Sequence, residues 1–290
     1  MALFRHIIYP VDFSPRCLSV RPFVAAMARR MQAPITLLHS IPIPRGWFGG
    51  VEGAYPPFFD FTALERDAEA RLAKVRFEPP FEDLDVKYVV NMGDPAVATT
   101  DLSNKTDDCL IMIPTHGYGK FRNLLLGSVA AKVLHDAHSA VWTDTHVQSH
   151  DSSLPVEPKR ILCAIALDKQ DEPLIRKALE LAGGDATHVR LVHAVPVEEM
   201  RPQKYFSLEF DRFLMDVAKE KIAELQHKMG IELQACVRGG AVAPVVRQTA
   251  VLHGSDLIVI GRGVVREPLG RLRTSAYAII REAPCPVISF

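Results

Sequence analysis

Charge of one sign, paired cysteines and long apolar runs are all missing from this chain of 290 residues, and each absence removes a class of function. The 34 Lys and Arg residues are balanced by 34 Asp and Glu, so no net field draws the chain onto nucleic acid or an anionic membrane. The five cysteines, Cys17, Cys109, Cys163, Cys236 and Cys285, contain no CxxC pair. Such an odd, dispersed set fits reduced thiols acting as small buried hydrophobes, not a disulfide framework or a zinc site. Nowhere do about 18 uninterrupted apolar residues occur, as a membrane-spanning helix requires. The apolar run Ile7 to Val11 is far too short for a signal-peptide core, so the expected location is the cytoplasm.

What is present is a repeat. RHIIYPVDFS near the start has a counterpart in KRILCAIALD at 159–168, and PITLLHSIP at 34–42 in HVRLVHAVP at 188–196. CLIMIPTHG at 109–117 pairs with DLIVIGRG at 256–263, and HSAVWT at 138–143 with PCPVIS at 284–289. A period of half the chain means a duplicated domain, not a solenoid. The polar, aperiodic stretch 145–158 reads as a linker, giving domains at 1–146 and 157–290.

Within each half, short continuous apolar runs such as IIYPV, ITLLHSI, VKYVV and LIMI read as strands buried on both faces. Ser14-Pro15 caps a helix running toward Met31, with Pro22 expected to kink it or delay its start. Leu64, Ala68, Leu72 and Val75 share one helical face. So do Phe210, Leu214, Val217, Ile222, Leu225 and Met229 before the stop at Gly230. Strands alternating with helices imply a parallel sheet.

Residues 114–134, PTHGYGKFRNLLLGSVAAKVL, carry the densest chemistry. LIMI ends at the sheet edge where open parallel sheets bind ligands, Gly117 begins the loop there, and Gly127-Ser128 opens a helix. Unpaired amides and the dipole at that helix start favour phosphate, and the Ser128 hydroxyl, Lys120 and Arg122 add donors. A Walker loop is excluded because Phe121 follows Gly119-Lys120. A dinucleotide fingerprint is excluded because Arg122 stands where its third glycine belongs. His116 has no nucleophile or carboxylate partner near it in sequence and reads as a polar loop residue beside phosphate. His39 and His193, at equivalent strand ends, read as structural hydrogen-bonding groups. The Gly-, Pro- and aromatic-rich stretch 43–61, with Trp47, Phe48 and Tyr55, reads either as a lid over a base or as a packing loop.

Asp12 after the first strand, HSI after the second, GDP at 93–95 and HG-x9-GS at 116–128 together resemble a universal stress protein domain, and the resemblance covers both halves. It implies an α/β chain of two tandem Rossmann-like (adenine nucleotide alpha hydrolase-like) domains, each a five-stranded parallel sheet with helices on both faces. It also implies pairing of the two domains within one chain, a homodimer as a further option, and an adenine nucleotide, ATP with or without Mg2+, as ligand. Carried over, the site comprises Pro10, Val11 and Asp12 at the first strand, with Asp12 near ribose and base. Ser40 and Ile41 stand near the adenine, and Pro114, His116, Gly117, Gly127, Ser128 and Val129 surround the phosphates. Pro114 departs from the family's first loop glycine and has no N–H to donate. In the second half Ala166 stands at the place of Asp12 and Arg273 at that of the third glycine. The expectation is therefore one nucleotide-binding domain and one structural or regulatory domain, without efficient phosphoryl transfer since no Walker lysine or acidic pair for magnesium is visible. The competing expectation is a nucleotide-free interaction module of the same fold.

Overall fold

The structure, a computed structural model, describes residues 2–43, 60–116, 126–145, 157–195, 208–262 and 274–290. These fall into two compact units, which divide near residue 141.

The strands of the first repeat are β1 His6–Pro10, β2 Ile35–Ile41, β3 Val86–Met92, β4 Cys109–Ile113 and β5 Ala140–Thr143, in the order β3-β2-β1-β4-β5, and the division between the units falls within β5, after Val141. The pairings of β1 with β2, β1 with β4 and β2 with β3 are parallel. Between them lie α1 Pro15–Ser19, α2 Arg21–Met31, α3 Phe61–Phe77, α4 Pro95–Asn104 and α5 Ser128–Asp136. The chain winds from β1 outward to β3 and then returns to β4 on the other side of β1. Right-handed crossovers therefore place α2 and α3 on one face and α4 and α5 on the other. The switch point, between β1 and β4, is where such sheets hold ligands.

Central strands are apolar throughout because both faces are covered: Ile7, Ile8, Ile111 and Met112 are fully buried. VKYVV departs from that expectation. It belongs to β3, whose burial alternates and whose Val89 is 41% exposed, as suits a strand paired on one side within its unit. Ser14 accepts the Cys17 amide at 3.1 Å and Pro15 occupies the first turn of α1. The helix breaks at Val20, so that Pro22 sits in the first turn of α2, where its missing N–H costs nothing. On α3, Ala68, Leu72 and Val75 are buried, whereas Leu64 is 37% exposed, so the expected stripe loses its first member.

The second unit repeats the plan: β6 Ile161–Ala164, α6 Asp171–Leu181, β7 Val189–Val195, α7 Leu208–Met229, β8 Gln234–Gly239, α8 Val242–Leu252, β9 Leu257–Ile260, α9 Thr274–Glu282 and β10 Val287–Ser289. Its strands run β10-β9-β6-β7-β8 and pair in parallel throughout. α7 ends where expected, with Gly230 at φ 65° beyond it. Among its described side chains, however, the buried ones are Ala218 and Ile222, while Phe210 is 38% exposed. Cys236 is half-buried, unlike the other four cysteines.

Backbone bonds fix the equivalence of the two units residue by residue. The amide of Val11 donates to Leu38 at 2.8 Å, and that of Ile165 donates to Val192 at 3.0 Å. Phe13 and Leu167 share a left-handed conformation, at φ 60° and 61°. His39 Nδ1 donates to the Val11 carbonyl at 2.6 Å and His193 Nδ1 to that of Ile165 at 3.0 Å, the structural role expected of both. It follows that Ala166 matches Asp12, Asp168 matches Ser14, Asp171 matches Cys17 and Ala194 matches Ser40.

Candidate functional site

Beyond the carboxyl ends of β1, β2 and β4 the first unit holds a cavity of about 400 Å3. Its wall brings together Pro10, Val11, Asp12, Ser40, Pro114, His116, Gly127, Ser128 and Val129. Ile41 is not on this wall: it is buried, and its carbonyl accepts the Gly93 amide at 2.9 Å. Gly117 lies outside the described residues, as do Gly119, Lys120, Arg122, Trp47, Phe48 and Tyr55. Sequence reasoning missed Leu38, Ile113 and Ala130, which supply apolar wall, and Pro95 and Thr99 from α4. The GDP motif hinted at α4, since Asp94 is the residue that caps it.

Asp12 is exposed at the cavity, and Oδ1 accepts the Ser14 amide at 2.9 Å. The helix cap itself is Ser14, so Asp12 closes an Asx turn and keeps its second oxygen for other partners. Beneath this turn, Cys17 is fully buried; desolvation pushes its thiol up to about 12, against hydrogen bonds from Tyr9 and from the backbone of Asp12 and Phe13. Tyr9 reaches it with its hydroxyl at 3.2 Å from Sγ. A thiol so placed is inert packing.

Gly127 has a reason of its own. A Cβ there would sit 3.2 Å from the Thr115 carbonyl oxygen and 3.5 Å from the His116 Cα. Its amide donates to that same carbonyl at 2.8 Å. Glycine is needed because the start of α5 lies directly against the backbone leaving β4. No side chain caps α5, and Ala131 is its first amide bonded within the helix, to Gly127. The amides of Ser128, Val129 and Ala130 therefore have no acceptor among the described residues. Bare amides with the dipole behind them suit an anion.

One rim is braced by charge. Asp94 Oδ1 accepts the amides of Ala96 and Val97 at 2.8 and 3.1 Å, and Oδ2 accepts from Lys132 Nζ at 3.0 Å. The Lys132 hydrogen bond, with the amides' help, holds the Asp94 carboxyl below its usual value. On the opposite side, Arg16 reaches the Thr115 hydroxyl at 3.4 Å, and that hydroxyl lies 3.2 Å from His116 Nδ1. Ser40 is 8% exposed and its Oγ is buried without a hydrogen-bond partner among the described residues. No three His, Cys, Asp or Glu side chains of the described residues gather as a metal site.

The corresponding cavity of the second unit, about 310 Å3, differs in kind. Ala166 supplies no carboxylate to it. Asp171, 2% exposed, spends both oxygens on the turn beneath, accepting from the amides of Ala166 at 3.0 Å and Asp168 at 2.9 Å. Burial raises its pKa while those amide bonds oppose the rise. Gly261 lines this cavity at the place of Pro114, and Arg262 next to it is lowered to about 10 by burial. Gly263 and Arg273 lie outside the described residues.

Comparison with known proteins gives the same account of both units. The model of the universal stress protein family matches residues 3–143 and again 157–289. A universal stress protein of Mycobacterium tuberculosis is 33% identical over 93 residues, which is 31% of this chain and 31% of its own length. The crystal structure of a universal stress protein from Archaeoglobus fulgidus covers 98% of this chain and 97% of its own, at 20% identity and a TM-score of 0.66. A putative universal stress protein from Pseudomonas aeruginosa covers 99% and 93%, at 17% identity and a TM-score of 0.63. At such identities these structures bear on the fold. With the family model matching nearly the whole length in two copies, the chain belongs to the universal stress protein family as a tandem member.

Proposed function

We propose that the first unit binds an adenine nucleotide, ATP or a close relative, and that the second unit serves a structural or regulatory role in a cytoplasmic stress response. The observation that carries this reading is the pairing, on one cavity wall, of a carboxylate with an unused oxygen at Asp12 and uncapped amides at Ser128, Val129 and Ala130. A carboxylate accepts from vicinal ribose hydroxyls, and helix-start amides donate to phosphate. Leu38, Ile113 and Ala130 offer the apolar surface that a purine buries. In this reading Ser128 adds its hydroxyl to the phosphate end, while Pro114 and Gly127 donate nothing there: one has no N–H and the other gives its own to Thr115. The protein is then a nucleotide-responsive binder and not an enzyme of efficient phosphoryl transfer.

Calorimetric titration of ATP with magnesium tests it on wild type and Asp12→Ala. Wild type binds, and the variant binds about 10- to 100-fold more weakly, the worth of a hydrogen bond to a charged acceptor. An absence of binding by wild type would favour the nucleotide-free interaction module instead.

A further inference from the structure

We propose that the second unit holds a separate site for a small phosphate monoester, at the opposite edge of its sheet from the cavity that faces Ala166. It stands apart from the nucleotide reading above. A cavity of about 550 Å3 opens there, at the amino ends of β6, β7 and β8, with Arg160, Arg190, His253 and Ser255 on its wall.

The strand register brings the two arginines to one place. Ile161 pairs with Val189 and Leu162 with Arg190, so Arg160 and Arg190 fall on the same face of neighbouring strands. From the spacing and rise of parallel strands their Cα atoms lie about 8 Å apart, close enough for two arginine side chains to meet on one anion. In the first repeat the same two positions hold His6 and Thr36, which bond each other at 2.9 Å. The second repeat has two like charges where the first has a satisfied neutral pair.

Those charges are held but not neutralised. Arg190 donates to Gln234, an uncharged acceptor, and meets no carboxylate among the described residues. Arg160 Nε lies 3.8 Å from Asp256, but that carboxylate is buried and also accepts the amides of Lys159 at 3.1 Å and Arg160 at 2.8 Å. Beside it Gly254, at φ 58°, makes room for the guanidinium: a Cβ there would lie 3.0 Å from Arg160 Nη1. The end of α8 does not oppose an anion strongly, because the Thr249, Val251 and Ala250 carbonyls already accept the amides of His253, Gly254 and Ser255. The Ser255 hydroxyl has no partner among the described residues and adds a donor to the wall. Burial and then the Arg190 and Arg238 charges lower the His253 pKa, which places that imidazole in the same positive field.

Two guanidinium forks and a hydroxyl match the three oxygens of a phosphate group. Glu232 is the single acid on the wall, so two positive charges face one negative, a balance that suits one phosphate group and not a polyphosphate chain. Ile161, Val189 and Leu233 supply apolar surface for the body of an ester.

Proton NMR of the full chain tests this through the His253 ring signal, assigned by its absence in His253→Gln. Inorganic phosphate and glycerol 3-phosphate are titrated into wild type, Arg160→Gln and Arg190→Gln, with pH fixed and ionic strength held by sodium chloride. Both ligands shift the wild-type signal saturably, the ester at least as tightly, and sodium acetate does not. Each arginine variant binds about 10- to 100-fold more weakly, the worth of a charge-assisted hydrogen bond, and keeps the wild-type circular dichroism. No saturable shift, equal affinity in the variants, or acetate acting as strongly as phosphate overturns the proposal. So does a response to inorganic phosphate with the ester excluded, which leaves an adventitious ion only. The signal belongs to the second unit, so the result is independent of whether the first binds ATP.

Discussion

Gly127 adopts φ −57° and ψ 145°, values open to any residue, so its lack of a side chain is explained by space and not by torsion. A methyl group at 3.2 Å from a backbone carbonyl must push one of the two segments away. Gly127→Ala therefore moves the start of α5 off the chain leaving β4. The expected cost is about 1–3 kcal/mol of stability, as for other overpacked sites, seen as a lower denaturant midpoint. If the α5 amides hold phosphate, ATP affinity falls in the same variant. In the sequence Gly127 reads only as the residue that opens a helix. What approaches it is the protein's own backbone, and no pattern local to Gly127 distinguishes that from a ligand. An acid at a strand-to-helix turn can equally be a helix cap, and it is the neighbouring Ser14 bond to Cys17 that assigns the cap away from Asp12.

At the scale of elements, the brace between α4 and α5 yields a test with a pH signature. Asp94 caps α4 through two amides and meets Lys132 of α5. Its pKa is lowered on folding, so its contribution is present above the unfolded value, near 3.8, and is lost as pH falls through the lower folded value. Asp94→Asn keeps a capping oxygen and removes the charge. It is expected to cost at most about 1 kcal/mol near neutral pH, since the pair is partly exposed, with the gap to wild type closing below about pH 4. Denaturant titrations of both proteins across that range check it, and a gap independent of pH would contradict it. Elements built on strong local signals were legible in the sequence: the Ser14-Pro15 start, the Gly230 stop and the apolar runs of β1 and β4. The misplaced features depend on neighbours. β3 reads like a core strand until its place in the sheet is known, and the exposure of Leu64 and Phe210 is decided by what lies across from each helix.

At the scale of the whole molecule, duplication supplies an internal control, because the same plan is built twice with different chemistry at the cavity. The repeat itself was legible, since strand-ending motifs recur in order. The fate of the second site was legible only in part: Ala166 announced the missing carboxylate, but nothing in the sequence said that Asp171 would fold under the turn in the place of Cys17. That buried carboxylate gives both oxygens to backbone amides, so it supports the turn and offers no ribose acceptor. Equilibrium binding is accordingly expected to saturate at one ATP per chain, with Asp12→Ala weakening that site and revealing no second one. Ala166→Asp alone is expected to leave the stoichiometry at one, because the rest of the cavity lining, with Asp171 held under the turn, is unchanged. Two equivalent sites in wild type, counted by calorimetry or equilibrium dialysis, would show that the second unit holds nucleotide by contacts other than a carboxylate after its first strand.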